Sequence, residues 1–224
     1  MSTASPSVAA AGPSARSGFF RARLASAFGI LPLGVWTFFH LWHNLAAFTG
    51  AEAWQSAVTE YPHPIAQALT GIVVLLPLVL HAIWGIGRMA TSRPNNVRYG
   101  FYANLKYLLQ RLAGVGLLGF LGAHLWLALL KPRMLEGHPE SFADLAEHVH
   151  FHWPTLATYV LGILAVAFHM ANGLQSFCMG WGVVTSQKGL RRLEGAALLV
   201  FLLLLGMGWG AVYALWAAGA AAPT

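Results

Sequence analysis

Charged residues are scarce in this chain. Asp, Glu, Lys and Arg make up 9% of it, against about 25% in a soluble domain, while hydrophobic residues make up 57%. A water-soluble monomer could not hide that much apolar surface. Cysteine is nearly absent too: Cys178 stands alone, so no intrachain disulfide can form. No cleavable signal peptide is visible, because the first apolar run is too long and lacks a processing pattern. Residues 1–20, rich in Ala, Ser and Pro, read as a mobile cytoplasmic tail, and 21–220 as one transmembrane domain.

What is present is a series of apolar runs, each long enough for the roughly 20 residues a bilayer-spanning helix needs. They fall at Leu24–Phe48, Ile65–Gly87, Leu105–Leu130, Thr155–Met179 and Leu193–Ala218, here spans I to V. Lipid cannot satisfy free backbone groups, and the runs are too long and too apolar for barrel strands. The expected fold is an all-α, polytopic membrane protein with five transmembrane helices.

The net charge of +6 does not point to nucleic acid, because basic residues in such a chain fix topology. Arg16, Arg21 and Arg23 precede span I. Arg88, Arg93, Arg98 and Lys106 lie between II and III, and Lys188, Arg191 and Arg192 between IV and V. The I–II linker has no Lys or Arg, and the III–IV linker sets Lys131 and Arg133 against Glu136, Glu140, Asp144 and Glu147. Positive-inside logic puts the N-terminus and the two basic linkers in the cytoplasm and the C-terminus outside. Within the III–IV linker, SFADLAEHVHFHW suits a short amphipathic helix on the outer surface, with His148, His150 and His152 as interfacial side chains.

Against this apolar background the histidines stand out. Of ten, His40 and His43 lie in span I, His81 in II, His124 in III and His169 in IV. Ionisable groups inside a membrane are costly and face the bundle interior. His40 and His124 lie roughly 20–25 Å from the inner basic rim, and His81 and His169 roughly 10–18 Å, at about 1.5 Å per residue. In an up-down four-helix bundle, I faces III and II faces IV across the core. Each of the two layers therefore presents two facing imidazoles, the arrangement that holds a haem iron from both sides. The C-x-x-C-H motif of covalent haem attachment is absent. Gly85 and Gly173 follow His81 and His169 by one turn, where a flat macrocycle needs room; close helix packing is the other reading of these glycines. His43 and Asn44 sit nearer the outer interface. His43 suits packing, a haem propionate or a quinone, and Asn44 a propionate or the helix end.

These residues bring a family into view. RLASAFGILPLGVWTFFHLWHN, GAEAW, LLPLVLHAIWG, LLQRLAGVG, GAHLW and FHMANGLQSF together resemble the dihaem cytochrome b membrane anchor of succinate:quinone oxidoreductases, of the cytochrome b558 type. The resemblance runs from about Arg23 into span V. It implies that His40, His81, His124 and His169 are the axial ligands of two haems b in a bacterial inner membrane. It also implies that flavoprotein and iron–sulfur subunits dock on the cytoplasmic side and that the anchor itself does not touch succinate. Electrons would pass the inner haem, then the outer haem, to quinone, with menaquinone the expected species. By the same resemblance the quinone site lies toward the outer haem, with Glu60 the acidic candidate and Trp54 and Tyr61 as candidate walls. A second location is the inner edge, around Arg23, Ser26 and Arg111, where Arg111 suits a haem propionate. Two alternatives stay open: a cytochrome b subunit of a hydrogenase or formate dehydrogenase, and a haem-free transporter with a histidine relay. The relay would need polar residues between the layers, and the spans offer few, Thr37, Thr70, Thr158 and Asn172, with no internal Asp or Glu.

Overall fold

The computed structural model describes residues 13–59, 64–91 and 101–221. Eight α-helices carry nearly all of them: α1 Pro13–Ile30, α2 Pro32–Asn44, α3 Ala51–Val58, α4 Pro64–Thr91, α5 Tyr102–Leu125, α6 Phe142–Phe151, α7 Trp153–Gly180 and α8 Gln187–Ala220. No strand occurs among the described residues. Five helical stretches are long and apolar enough to cross a membrane: Ser17–Phe48, Ala68–Thr91, Tyr102–Glu136, Trp153–Gly180 and Gln187–Ala220. The chain is a multi-pass membrane protein. Its outward faces fit that solvent, since Leu69, Ile72, Val73, Leu76, Val79 and Ile83 of α4 are all exposed, a stripe that lipid would cover.

Span I is two helices rather than one. Pro32 has no N–H and its ring crowds the carbonyl one turn back, so α1 ends at Ile30 and α2 restarts with proline in its first turn. Helical structure also begins earlier than the tail boundary placed it, at Pro13, so residues 13–20 belong to α1. After α2, a 3₁₀ turn at Leu45–Phe48 leads to Gly50, whose φ of 128° is open only to glycine. The chain then turns back into α3. The end of span III widens into π turns at Trp126–Leu130 and Pro132–Glu136, and the left-handed Gly137 (φ 77°) terminates it.

Helix α1 packs on α4 and α7, α5 on α7, and α8 on α7, α6 and α2. The fifth span thus lies outside the four that carry histidines. The linker helix α6 forms as the amphipathic pattern predicts, capped by Ser141, whose Oγ accepts from Asp144 N. It does not rest free on a surface, however. Leu145, Ala146 and Val149 bury against Val212, Leu215 and Tyr159 in the largest core cluster. Gly219 of α8 permits this, since a Cβ there would collide with the Ala146 carbonyl. His148, His150 and His152 are held at this interface, bonded to the Asp144 carbonyl (2.8 Å), the Trp216 carbonyl (2.9 Å) and Thr155 Oγ1 (2.8 Å).

Candidate functional site

The intramembrane histidines meet in two pairs. His40, from α2, and His124, from the last turn of α5, have ring centroids 5.9 Å apart. His81 of α4 and His169 of α7 have centroids 6.0 Å apart. Each pair joins helices that lie across the bundle from one another, while the neighbouring helices do the packing. Two imidazoles on opposite sides of one metal ion, with metal–nitrogen bonds of about 2.0–2.1 Å, place their centroids about 6 Å apart. Both pairs have that separation.

The rings are held by their surroundings. His81 Nδ1 donates to the Ala25 carbonyl at 2.7 Å, and a carbonyl can only accept, so Nε2 carries the lone pair. His124 Nδ1 lies 3.2 Å from the Tyr159 hydroxyl, which has the same orienting effect in the other pair. Trp36 stacks on His40 at 4.5 Å and Phe120 on His124 at 5.4 Å. His169 Nδ1 is the buried side-chain nitrogen with no hydrogen-bond partner among the described residues. An orphaned ring nitrogen costs about 1–3 kcal/mol, so this imidazole is built to meet something other than protein. Its backbone carbonyl, in contrast, is fixed by Gln110 Nε2 at 3.1 Å, and Gln110 is itself braced by Asn172 Nδ2 at 3.0 Å. These donor sets fit a bis-imidazole iron.

Small residues set the approach distances. A Cβ on Gly29 would lie 2.9 Å from His81 Cε1, and one on Gly114 would lie 3.4 Å from His169 Cε1. Gly173 faces Ile30 and Gln110 at 3.8–3.9 Å, whereas nothing lies within 4 Å of a Cβ on Gly85. Space is therefore left beside Gly85, and Gly173 is in ordinary packing contact. Gly29 and Tyr159 escaped sequence reasoning. Glycine is common in such helices, and no motif marks a tyrosine as the partner of a distant imidazole.

Other predicted site residues are placed differently. His43 is exposed at the end of α2 and is not brought into either pair. Asn44 has both ends of its amide engaged: Nδ2 donates to the His40 carbonyl (2.8 Å), and Oδ1 accepts from Trp54 Nε1 (3.1 Å). These contacts make it a helix-end brace. Trp54 is 2% exposed and packs edge-on against Phe142 in the largest core cluster. Arg23 lies over the Phe19 and Trp181 rings, while Ser26 Oγ donates to the Arg23 carbonyl and accepts from Trp181 Nε1. Arg111 lies over Tyr107, and its Nη2 donates to the Arg88 carbonyl at 3.1 Å. Glu60 and Tyr61 lie outside the described residues.

Comparison with known proteins identifies the scaffold. Residues 93–209 match the family described as succinate dehydrogenase/fumarate reductase transmembrane subunit. The chain is 32% identical over 197 residues to the succinate dehydrogenase cytochrome b558 subunit of Bacillus subtilis (strain 168), covering 88% of this chain and 96% of that one. The chain belongs to the succinate dehydrogenase/fumarate reductase transmembrane subunit family. A second relative, the succinate dehydrogenase hydrophobic membrane anchor subunit of Thermoplasma acidophilum, is 30% identical over 124 residues, 55% of this chain and 94% of that one. This membrane anchor therefore groups with succinate dehydrogenase subunits rather than with hydrogenase or formate dehydrogenase cytochromes. The matched residues 93–209 include His124 and His169, one member of each imidazole pair.

Proposed function

We propose that this membrane anchor is the electron conduit of a succinate:quinone oxidoreductase, holding two haems b in series, one between His40 and His124 and one between His81 and His169. What carries this reading is the pair of cross-bundle imidazole contacts at 5.9 and 6.0 Å in a chain of this family. Bound haem iron supplies one-electron chemistry, and ligation from both sides leaves no open position for oxygen. The protein's part is positioning. The Ala25 carbonyl and Tyr159 orient His81 and His124, Gly29 lets α1 come up against the inner ring, and the space beside Gly85 admits a flat macrocycle.

The basic inner linkers put the N-terminus in the cytoplasm and the C-terminus outside, so flavoprotein and iron–sulfur subunits dock on the cytoplasmic face. Electrons then run from the inner to the outer pair and on to quinone, with menaquinone the expected acceptor. Glu60 is the proposed proton-exchanging acid at the outer side and Tyr61 its neighbour. Arg111, at the inner rim, serves a propionate, and the Arg23–Ser26 edge is the other candidate quinone location. The chain on its own is not expected to oxidise succinate.

The test is a reduced-minus-oxidised spectrum with haem quantification on the purified chain and on four single variants. Two low-spin haems b per chain are expected. His40→Ala and His124→Ala should each remove one component, and His81→Ala and His169→Ala the other. A well-folded chain without haem would sink the proposal. Loss of the outer component in His43→Ala with retention in His40→Ala would overturn the ligand assignment.

A further inference from the structure

A second polar cluster lies away from the imidazole pairs, where the π turns of span III meet α6. A cavity of about 230 Å³ there is lined by Lys131, Glu136, His138, Glu140, Asp144 and His148, among others. One ligand atom each from Glu136, His138 and Asp144 lies within 4.8 Å of the others. Ligands on one ion at about 2.0–2.2 Å stand at most about 4.4 Å apart, so small side-chain rotations bring all three into reach. The left-handed turn at Gly137 joins Glu136 to His138. His138 Nδ1 donates to the Pro139 carbonyl at 2.8 Å, which leaves the lone pair on Nε2, as in oriented metal-binding histidines. Asp144 Oδ2 accepts from Ser141 Oγ at 2.6 Å, leaving Oδ1 uncommitted.

Those contacts alone would describe a solvated polar rim. Glu140 does not fit that description. It is only 8% exposed, it lines the same cavity, and its carboxylate has no hydrogen-bond partner among the described residues. Its backbone carbonyl is pinned by Gln55 Nε2 at 2.9 Å, so the side chain is held in place. The carboxylates of Asp144 and Glu136 face it. Against these stand Lys131 and His148, and Lys131 Nζ is already tied to Glu136 at 2.9 Å. Tyr159 of α7 also faces Glu140. Three carboxyl groups set against one lysine give this polar cavity an acidic excess, which suits a divalent cation.

We propose that Glu136, His138 and Asp144 bind a divalent transition-metal ion of the Zn²⁺ class, with the buried Glu140 carboxylate supplying charge from beneath. One imidazole among carboxylates selects zinc-like ions over calcium, which takes all-oxygen shells. The ion would clip the end of span III to the start of α6.

The experiment is calorimetric titration of the full chain in detergent micelles, without a histidine tag, with Zn²⁺ and separately with Ca²⁺. One saturable Zn²⁺ site per chain is expected. His138→Ala and Glu140→Gln should each weaken it at least ten-fold, and Lys131→Met, which frees Glu136, should tighten it. His138 is exposed, so His138→Ala reads the site without a folding risk. Absence of a saturable site, unchanged affinity in both weakening variants, or equal affinity for Ca²⁺ would each overturn the proposal.

Discussion

Replacing Gly29 with alanine probes the inner imidazole pair through backbone geometry alone. The added Cβ would lie 2.9 Å from His81 Cε1 and 3.2 Å from its Nδ1. Carbon atoms in good contact stand about 3.5–4.0 Å apart, so about half an ångström or more must be found. The ring cannot simply swing aside, because its Nδ1 is bonded to Ala25, one turn earlier on the same helix, at 2.7 Å. Either α1 backs away from α4, or the ring turns and the bond to Ala25 is lost. Overpacking of this kind costs about 1–3 kcal/mol, and a lost hydrogen bond about 0.5–1.5 kcal/mol. At about 1.4 kcal/mol per factor of ten, the larger route would lower the affinity of the proposed His81–His169 haem site about five- to 150-fold. The assay is haem retention during dilution, followed by reduced-minus-oxidised spectra and a redox titration that resolves the two components. The inner component should fade or shift and the outer one stay. Gly114→Ala is the matched control, since its Cβ meets His169 at 3.4 Å, close to ordinary contact. Two unchanged components in Gly29→Ala would refute the placement of His81 against α1.

Four further outcomes are expected. Tyr159→Phe, which strips His124 Nδ1 of its partner, should shift the midpoint potential of the outer component and leave the inner one unchanged in the same titration. Gly85→Leu should fill the space beside that glycine and lower haem content, whereas Gly85→Ala should not; equal content in all three forms would mean the macrocycle lies elsewhere. Gly219→Val should drive α8 off the Ala146 carbonyl and destabilise the chain by about 1–3 kcal/mol or more, read as a lower thermal midpoint. Glu140 contributes a pH dependence of defined sign. Its folded value of about 7 lies above its ordinary 4.5, so stability is highest below pH 4.5, falls as pH rises toward 7 and is level beyond. Thermal midpoints in metal-free buffer should follow that course in the parent chain, with Glu140→Gln removing this component.

Much of the scaffold was legible in the order of residues. Five apolar runs define five spans because a backbone in lipid must satisfy itself within each helix. The runs could not reveal that each helix extends past its apolar stretch, as α8 does from Leu193 back to Gln187, because polar end turns look like linkers. Nor could they show that α1 takes in residues 13–20, where alanine, serine and proline read as a tail. Trp54 and Asn44 illustrate the limit at the site. Aromatic and polar residues at a membrane edge suit several roles, and only the contact between these two, across the turn at Gly50, assigns them to each other.

The sequence by itself determined that the chain crosses a membrane five times and that imidazoles sit at two depths within it, because hydropathy and helical rise are local properties. Tertiary structure decided which side chains face one another. Rotation of each helix about its axis, and the break at Pro32, bring Tyr159 to His124, Gly29 to His81 and Glu140 into a polar cavity. Those are relations between distant segments. Small changes in packing set them, and no spacing along the chain encodes them.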